Sequence, residues 1–197
     1  MPAGLANPVL SAQATFRAVL NALARPGGVH PIAGAMEVPS PLSPGAAAIA
    51  LTLCDHDTPI WLDAGLRSAD AVAAWLRFHC GSMITDDSHT AAFALVSKPC
   101  EQLPPFDHFN PGTLDYPDRS TTLILQVDSL RAGPALALTG PGIQDRQILQ
   151  ASPLPPDMGE RLNSNRSMFP RGIDLILVSA DEVAALPRSV CIERAED

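Results

Sequence analysis

The sequence predicts an α/β fold, a layered sandwich in which a central mixed β-sheet is flanked by helices. The chain contains both segments with apolar residues at helical spacing and short aliphatic runs, and several of these runs are apolar at every position, as in strands covered on both faces. Strict β–α–β alternation is absent, so the sheet is expected to be mixed. We expect residues 1–197 to form one domain, since this length suits a single core.

Two helices are predicted in the first quarter of the chain. The first begins at Asn7 or Ser11, either of which is a suitable N-cap, and ends before Pro26, which cannot continue a helix. The second begins at Ser43 and Pro44, a pair suited to the N-cap and the first helical position. Its residues are small and apolar all around, which predicts burial on every side.

Two further helices are predicted from shorter patterns. The segment SADAVAAWLRFHC has apolar residues at helical spacing, and Ser68 is its expected cap. The segment DEVAALP predicts a short helix capped by Asp181.

Strands are predicted where β-branched and aliphatic residues form short runs bounded by turn residues. In chain order these runs are TPIWLD, HTAAFALV, RSTTLILQV, PALALTG, IDLILVS and RSVCIE. Five prolines between Ser97 and Ser120 predict a long irregular excursion with about one helical turn, and such a loop is usually packed or functional. The last third of the chain is therefore predicted to be mostly strand and turn.

Composition excludes several classes of function. The formal net charge of -8 and the pI of 4.9 argue against nucleic acid as a partner, because phosphate backbones need clustered cations. No apolar stretch approaches the ~20 residues of a membrane span, and the N-terminus lacks the pattern of a signal peptide, so we expect a cytoplasmic protein without membrane contact. Four scattered cysteines without a C-x-x-C pair predict buried free thiols.

The triplet Asp55-His56-Asp57 is a candidate acid/base or metal site. Its two carboxylates could share a face of an extended segment and raise one another's pKa. The alternative is a turn between a helix and a strand, in which Asp57 accepts hydrogen bonds from backbone N–H groups before Pro59. Consecutive residues seldom make a metal site alone, because ligands converge from several elements.

Anion contacts must come mainly from arginines, since Lys98 is the only lysine among 13 cations. Asp118 and Arg119 stand at a strand entrance, where they could clamp a carboxylate or phosphate, although a solvated ion pair also explains them. The candidate ligand-binding residues are Asp55, Asp57, Arg77 and Arg119, which could steer a phosphonate or triphosphate.

Other motifs favour backbone roles. The glycines of LTGPGI could approach a phosphate, but the motif lacks the pattern of nucleotide-binding loops and fits a tight turn. FPRGIDLIL predicts a rigid bend in which Asp174 satisfies neighbouring backbone donors. The histidines show no metal-ligand spacing, and no G-x-S-x-G elbow is present. Lys98 precedes Pro99 in a loop-like stretch, a poor place to hold a nucleophile.

Taken in order, seven stretches of the chain resemble the H subunit of the bacterial carbon–phosphorus lyase complex, from about Asn7 to Val190. These stretches are FRAVLNALARPG, LTLCDHDTPIWL, RFHCG, GT before DRSTTLILQV, LTGPGI, FPRGIDLIL and LPRSV. The resemblance implies a fold similar to that of pyridoxal-phosphate-dependent transferases without the cofactor lysine. No cofactor, no metal and no catalytic residue are therefore expected.

The resemblance also implies a function in organophosphonate catabolism. Subunits G, H and I, with the ATPase-like subunit L, are associated with displacing adenine from ATP by an alkylphosphonate to give a ribose 1-phosphonate 5-triphosphate, and subunit J later cleaves the carbon–phosphorus bond. The chain is expected to form a homodimer and to dock onto the nucleosidase-like I subunit, in association with G and J. We expect a scaffold rather than a catalyst, and this favours the turn interpretation of the acidic triplet.

Overall fold

The computed structural model describes residues 7–32 and 36–193. The α-helices in these ranges are α1 Pro8–Ala24, α2 Pro44–Leu53, α3 Ala64–Arg67, α4 Asp70–Cys80, α5 Pro99–Gln102 and α6 Met158–Ser167. The β-strands are β1 His30–Pro31, β2 Ile60–Leu62, β3 Ile84–Thr85, β4 Phe93–Val96, β5 Thr122–Gln126, β6 Ala135–Thr139, β7 Gln147–Gln150, β8 Asp174–Val178, β9 Glu182–Leu186 and β10 Cys191–Glu193. Two 3-10 turns, Phe106–His108 and Pro117–Arg119, lie between α5 and β5.

The predicted mixed sheet is present. It has seven strands in the order β1-β9-β8-β5-β4-β2-β3, in which β3, β2, β4, β5 and β8 run parallel, β9 is antiparallel to β8, and β1 is antiparallel to β9. A separate antiparallel sheet has the order β10-β6-β7. The α/β fold class with a central mixed sheet and helices is therefore confirmed.

The central strands are apolar at every position because both faces of the sheet are covered. Leu95, Ile124 and Ile176 point to one face, where they pack with α1, α2 and α4. Leu123 and Leu125 point to the opposite face, whose core also includes residues of α6 and the small sheet. Alternate residues of one strand thus enter different cores, which is how a fully apolar run fits a strand.

The first two helices begin at predicted caps, and α1 ends before Pro26 as expected. The Oδ1 of Asn7 accepts a hydrogen bond from the N–H of Leu10 at 3.3 Å, so Asn7 rather than Ser11 is the cap of α1. Ser43 caps α2 through the N–H of Ala46 at 3.2 Å. Residues 45–50 of α2 are all buried, as its uniform apolar composition predicts.

The segment DEVAALP is a strand, β9, and the predicted helix capped by Asp181 is wrong. The strand pairs with β8 over four residues, and its last four residues are buried. Local helix propensity of alanine, leucine and glutamate is overridden here by the ladder with β8 and by burial between the two layers.

One other expectation for helices is wrong, and one helix was not predicted. Ser68 does not cap α4, which begins after Ala69, because its Oγ donates instead to the carbonyl of Gly65 and closes α3. The last third of the chain also contains α6, where turn and strand were expected. Asn165 of α6 is buried, and its amide bonds both the C=O and the N–H of Ile173 at 2.9 Å. α6 is therefore anchored in part by a buried polar side chain and lacks the apolar stripe from which helices are normally predicted.

Arg188 anchors the end of the predicted Pro-rich excursion that leads into β5. The Arg188 guanidinium donates to both carboxylate oxygens of Asp174, to the carbonyl of Pro117 and to the Oγ of Ser120. Its backbone N–H also donates to Asp174 at 2.8 Å. Asp174 therefore satisfies a backbone donor, as predicted, and the cluster joins three stretches that carry the resemblance.

Candidate functional site

The Asp55-His56-Asp57 triplet forms a turn between α2 and β2. Oδ1 of Asp55 accepts a hydrogen bond from the N–H of Asp57 at 2.9 Å and one from the hydroxyl of Thr58 at 3.1 Å. The predicted turn is present, but its capping carboxylate is Asp55 and not Asp57, whose carboxylate lies 3.3 Å from Nε2 of His56 in an exposed pair.

The four candidate ligand residues do not form a cluster of contacts. Asp55 and Arg119 precede β2 and β5 at the amino-terminal edge of the parallel strands, and these two strands are about 10 Å apart because β4 lies between them. Arg77 is exposed in the last turn of α4. Arg119 lies over the ring of Tyr116, 4.2 Å from its centroid, which replaces the ion pair considered for it with Asp118. Apart from the Asp55–Asp57 bond, no hydrogen bond or ion pair joins any two of the four in the described residues.

The described thiols are free, as predicted, although only Cys54 is fully buried and Cys100 is exposed. Burial raises the pKa of Cys54, with smaller contributions from Cys80 and Asp55. Burial also raises the pKa of Cys80 to about 11. Both thiols stay protonated near neutral pH and so are poor nucleophiles. Within residues 7–32 and 36–193, no group of three His, Cys, Asp or Glu side chains is placed to hold a metal ion.

The LTGPGI stretch is the turn between β6 and β7, and it packs against the end of α1. The cavity between them measures about 340 Å³ and is lined by Arg25, His30 and Arg146 among others. Its positive charge is offset by Asp145, by Glu193 at 3.4 Å from Arg146, and by the C-terminal end of α1. The charges do not favour a phosphate there, which agrees with the tight-turn interpretation.

A second cavity lies at the carboxyl ends of β4 and β5. It measures about 370 Å³ and is bounded by the residues that follow these strands and by the start of α2. Its lining consists of Ser43, Ser97, Lys98, Cys100, Glu101, Gln126, Val127, Asp128 and Pro153. We call it the carboxyl-edge cavity. Ligands of parallel α/β sheets bind preferentially at this edge.

Buried hydrogen bonds fix the floor of the carboxyl-edge cavity. Asp63, which is fully buried after β2, accepts hydrogen bonds from the N–H of Ser97 at 2.6 Å and from its Oγ at 2.9 Å. Gln126 accepts from the N–H of Ser43 at 2.6 Å and donates to the carbonyl of Pro41 at 3.0 Å. The floor is thus satisfied and rigid.

The rim of this cavity was missed by the sequence reasoning. Lys98 and Glu101 stand on one side with 3.4 Å between their charged atoms, and Asp128 is exposed on another. The sequence placed Lys98 in a loop unsuited to chemistry, and the structure places it at the end of β4, beside the cavity. The available signal was that Lys98 and Asp128 each follow a predicted strand.

The described helices are too short or too polar for a bilayer span. A family model described as bacterial phosphonate metabolism protein (PhnH) matches residues 3–193. The chain is 42% identical over 189 residues to the α-D-ribose 1-methylphosphonate 5-triphosphate synthase subunit PhnH of Rhizobium meliloti strain 1021, covering 96% of this chain and 94% of the relative.

A second relative is the putative C-P lyase subunit protein HtxG of Stutzerimonas stutzeri. It is 33% identical over 185 residues, covering 91% of this chain and 85% of the relative. The family match spans nearly the whole chain and includes every stretch that suggested the resemblance. The chain therefore belongs to the PhnH family of bacterial phosphonate metabolism proteins.

Proposed function

We propose that this chain is the H-type subunit of a carbon–phosphorus lyase complex, and that it serves the transfer of the ribose triphosphate moiety of ATP to an alkylphosphonate. The single observation that carries the proposal is the 42% identity to a synthase subunit across almost the full length of both chains. We place it in the cytoplasm, where ATP is available.

The chain acts as a scaffold rather than as the catalyst. The acidic triplet is engaged in its own turn, and the central polar groups Asp63, Gln126 and Asp174 are bonded to backbone and neighbouring side chains. The test is co-expression with subunits G, I, J and L, followed by copurification and an assay of adenine release from ATP with methylphosphonate. We expect release only when this chain is present with its partners. Turnover by the isolated chain would contradict a scaffold role.

Homodimerisation uses the outer face of α1, which carries Val9, Phe16 and Leu20, each more than half exposed, while Leu10 is exposed to one side of this face. Exposed apolar residues on one helix face are typical of protein contacts. Val9 and Leu20 are eleven residues, or about 16 Å, apart along the helix. In an antiparallel two-fold helix pair, Val9 of one copy would lie against Leu20 of the other copy, and Phe16 would lie between these two contacts.

Phe16→Ser together with Leu20→Ser tests this contact. We expect the pair of substitutions to shift the protein to monomer in sedimentation experiments. The matched control is Phe78→Ser on α4, a residue 70% exposed on a different helix. A dimer that persists in the double variant would exclude α1 as the contact. Copurification of the same variants with the nucleosidase-like I subunit shows whether that partner uses the same face.

A second candidate function is a direct contribution to a phosphonate or nucleotide pocket by Asp55, Asp57, Arg77 and Arg119. It is favoured by the exposure of all four at the amino-terminal edge of the sheet, where a partner could complete a site. Arg119→Ala and Asp57→Ala should then lower adenine release by the assembled complex at least tenfold. Full activity in a normally assembled complex would exclude this candidate.

The chain also has a fold like that of pyridoxal-phosphate-dependent transferases without their coenzyme. The only lysine, Lys98, has an exposed side chain that lies beside Glu101, which supports this part of the proposal. After addition of pyridoxal phosphate, the unmodified protein and Lys98→Ala should give the same absorbance spectrum. A Lys98-dependent band with functional consequences would contradict it.

A further inference from the structure

We infer that the carboxyl-edge cavity binds a small zwitterion that carries an ammonium and a phosphonate group, such as an aminoalkylphosphonate. The choice of phosphonate rests on the proposed function. The cavity, its position and the arrangement of its charges come from the structure alone.

The cavity lies at the carboxyl edge of the parallel strands, the edge at which ligands of such sheets bind. β4 and β5 are adjacent and parallel, so Ser97 and Val127, which follow them, stand side by side at one edge. The start of α2 covers this edge, since Gly45 packs directly on the carbonyl of Ser179 after β8. A volume of about 370 Å³ suits a small metabolite.

The charges on the rim are mixed. Nζ of Lys98 lies 3.4 Å from the carboxylate of Glu101, longer than the 2.7–2.9 Å of a strong charge-assisted bond, so the ammonium retains donors for a ligand. The carboxylate of Asp128 makes no hydrogen bond or ion pair with the described residues, while its backbone N–H is held by Ser152. The N-terminus of α2 adds a partial positive charge on the side of Ser43.

A ligand of one charge does not match this rim. A simple anion would face two carboxylates, and a simple amine would face Lys98 and the positive end of α2. A molecule with both groups places its ammonium against Asp128 and its oxyanion against Lys98. The bonded floor formed by Ser97 and Gln126 leaves recognition to these rim groups.

The test is calorimetric titration of the isolated chain with four probes of similar size. These are 2-aminoethylphosphonate, β-alanine, methylphosphonate and propylamine. We expect saturable binding of 2-aminoethylphosphonate, with methylphosphonate and propylamine each at least tenfold weaker. Equal binding of 2-aminoethylphosphonate, methylphosphonate and propylamine would overturn a zwitterion site. Failure to detect binding of 2-aminoethylphosphonate up to about 20 mM, a concentration that reveals even millimolar affinity, would also overturn it. Equal or tighter binding of β-alanine would overturn the assignment to phosphonate.

Two variants locate the binding. Lys98→Gln and Asp128→Asn should each weaken binding of 2-aminoethylphosphonate about tenfold, because each removes one charge-assisted contact. Arg171→Gln and Asp107→Asn are matched controls, exposed residues outside the cavity that should leave binding unchanged. Unchanged binding in both cavity variants would place the ligand elsewhere and overturn the inference.

The single lysine gives an independent readout. Acetylation of Lys98, followed by peptide mass spectrometry and normalised to a lysine-containing reference peptide in the same solution because the probe amines also consume reagent, should slow at least threefold when 2-aminoethylphosphonate is bound and should be unaffected by propylamine. Acetylation at the same rate with and without 2-aminoethylphosphonate would contradict the predicted contact. These measurements need no partner subunit, whereas the proposed function is tested by copurification and adenine release, so each can fail without the other.

Discussion

The Arg188–Asp174 pair should be worth several times an ordinary surface ion pair. Its side chains are only 14% and 22% exposed, and Arg188 makes two further contacts that tie the Pro-rich excursion to the start of β8. Removing one partner of a buried pair costs about 3–5 kcal/mol, whereas exposed pairs contribute about 0–1 kcal/mol. The slight exposure places this pair near the lower end of the buried range, at about 3 kcal/mol for Asp174→Ala.

The coupling energy is measured by a double-mutant cycle in urea unfolding, and Asp174→Ala is also unfolded thermally. Circular dichroism monitors both kinds of unfolding. We expect Asp174→Ala to lower the midpoint of thermal unfolding by about 6–12 °C, since 1 kcal/mol corresponds to about 2–4 °C in a chain of this size. The coupling energy between Asp174→Ala and Arg188→Ala should be about 2 kcal/mol.

The matched control is the Arg67–Asp86 pair. Its charged atoms lie 2.7 Å apart, within the distance of a strong charge-assisted hydrogen bond, but its side chains are 40% and 90% exposed. The same cycle at this pair should give less than about 0.5 kcal/mol, and 0.5 M salt should abolish it. If the Arg188–Asp174 coupling were as small as that of the control, burial and the additional contacts would not be what stabilises this end of the sheet.

Three other perturbations should follow from burial and backbone geometry. Between pH 9 and 11, Cys80 should lower the free energy of unfolding by about 1.4 kcal/mol per pH unit, because the native thiol, with its pKa raised from 9.0 to about 11, stays protonated where the unfolded thiol ionises. Cys80→Ala should abolish this contribution to the slope of stability against pH in urea unfolding, and an unchanged slope would contradict the argument. Gly142→Ala should cost more than about 2 kcal/mol, since φ is +85° and a Cβ would meet the carbonyl of Ala24, while Gly159→Ala on α6 should cost nothing; equal effects in urea would refute the packing argument. Asp63→Ala should lower the free energy of unfolding by about 3 kcal/mol, because three donors lose their acceptor, and a loss below about 1 kcal/mol would mean that water replaces it.

The sequence predicted the strands that are buried on both faces but not every element beside them. Apolar runs such as RSTTLILQV have no helical alternative of adequate length, so their assignment depends on local pattern alone. DEVAALP has residues that suit either state, and only the presence of β8 as a neighbour decides for β9. The α6 segment was missed because Met158 and Leu162 are its only buried apolar side chains and the third buried residue is Asn165.

The candidate site depended on a property that no local pattern contains, the order of strands in the sheet. Asp55 belongs to an acidic triplet and Arg119 to a charged strand entrance, and both patterns are visible in the sequence alone. Lys98 and Asp128, at the exits of β4 and β5, are adjacent only because these strands pair in parallel, 30 residues apart in the chain. Parallel pairing brings the exits of successive strands to one edge, where helix N-termini also gather, and this edge offers a ligand both charge and enclosure. The amino-terminal edge gathers helix C-termini instead, so its exposed arginines are better placed to meet another protein chain than to enclose a small molecule by themselves.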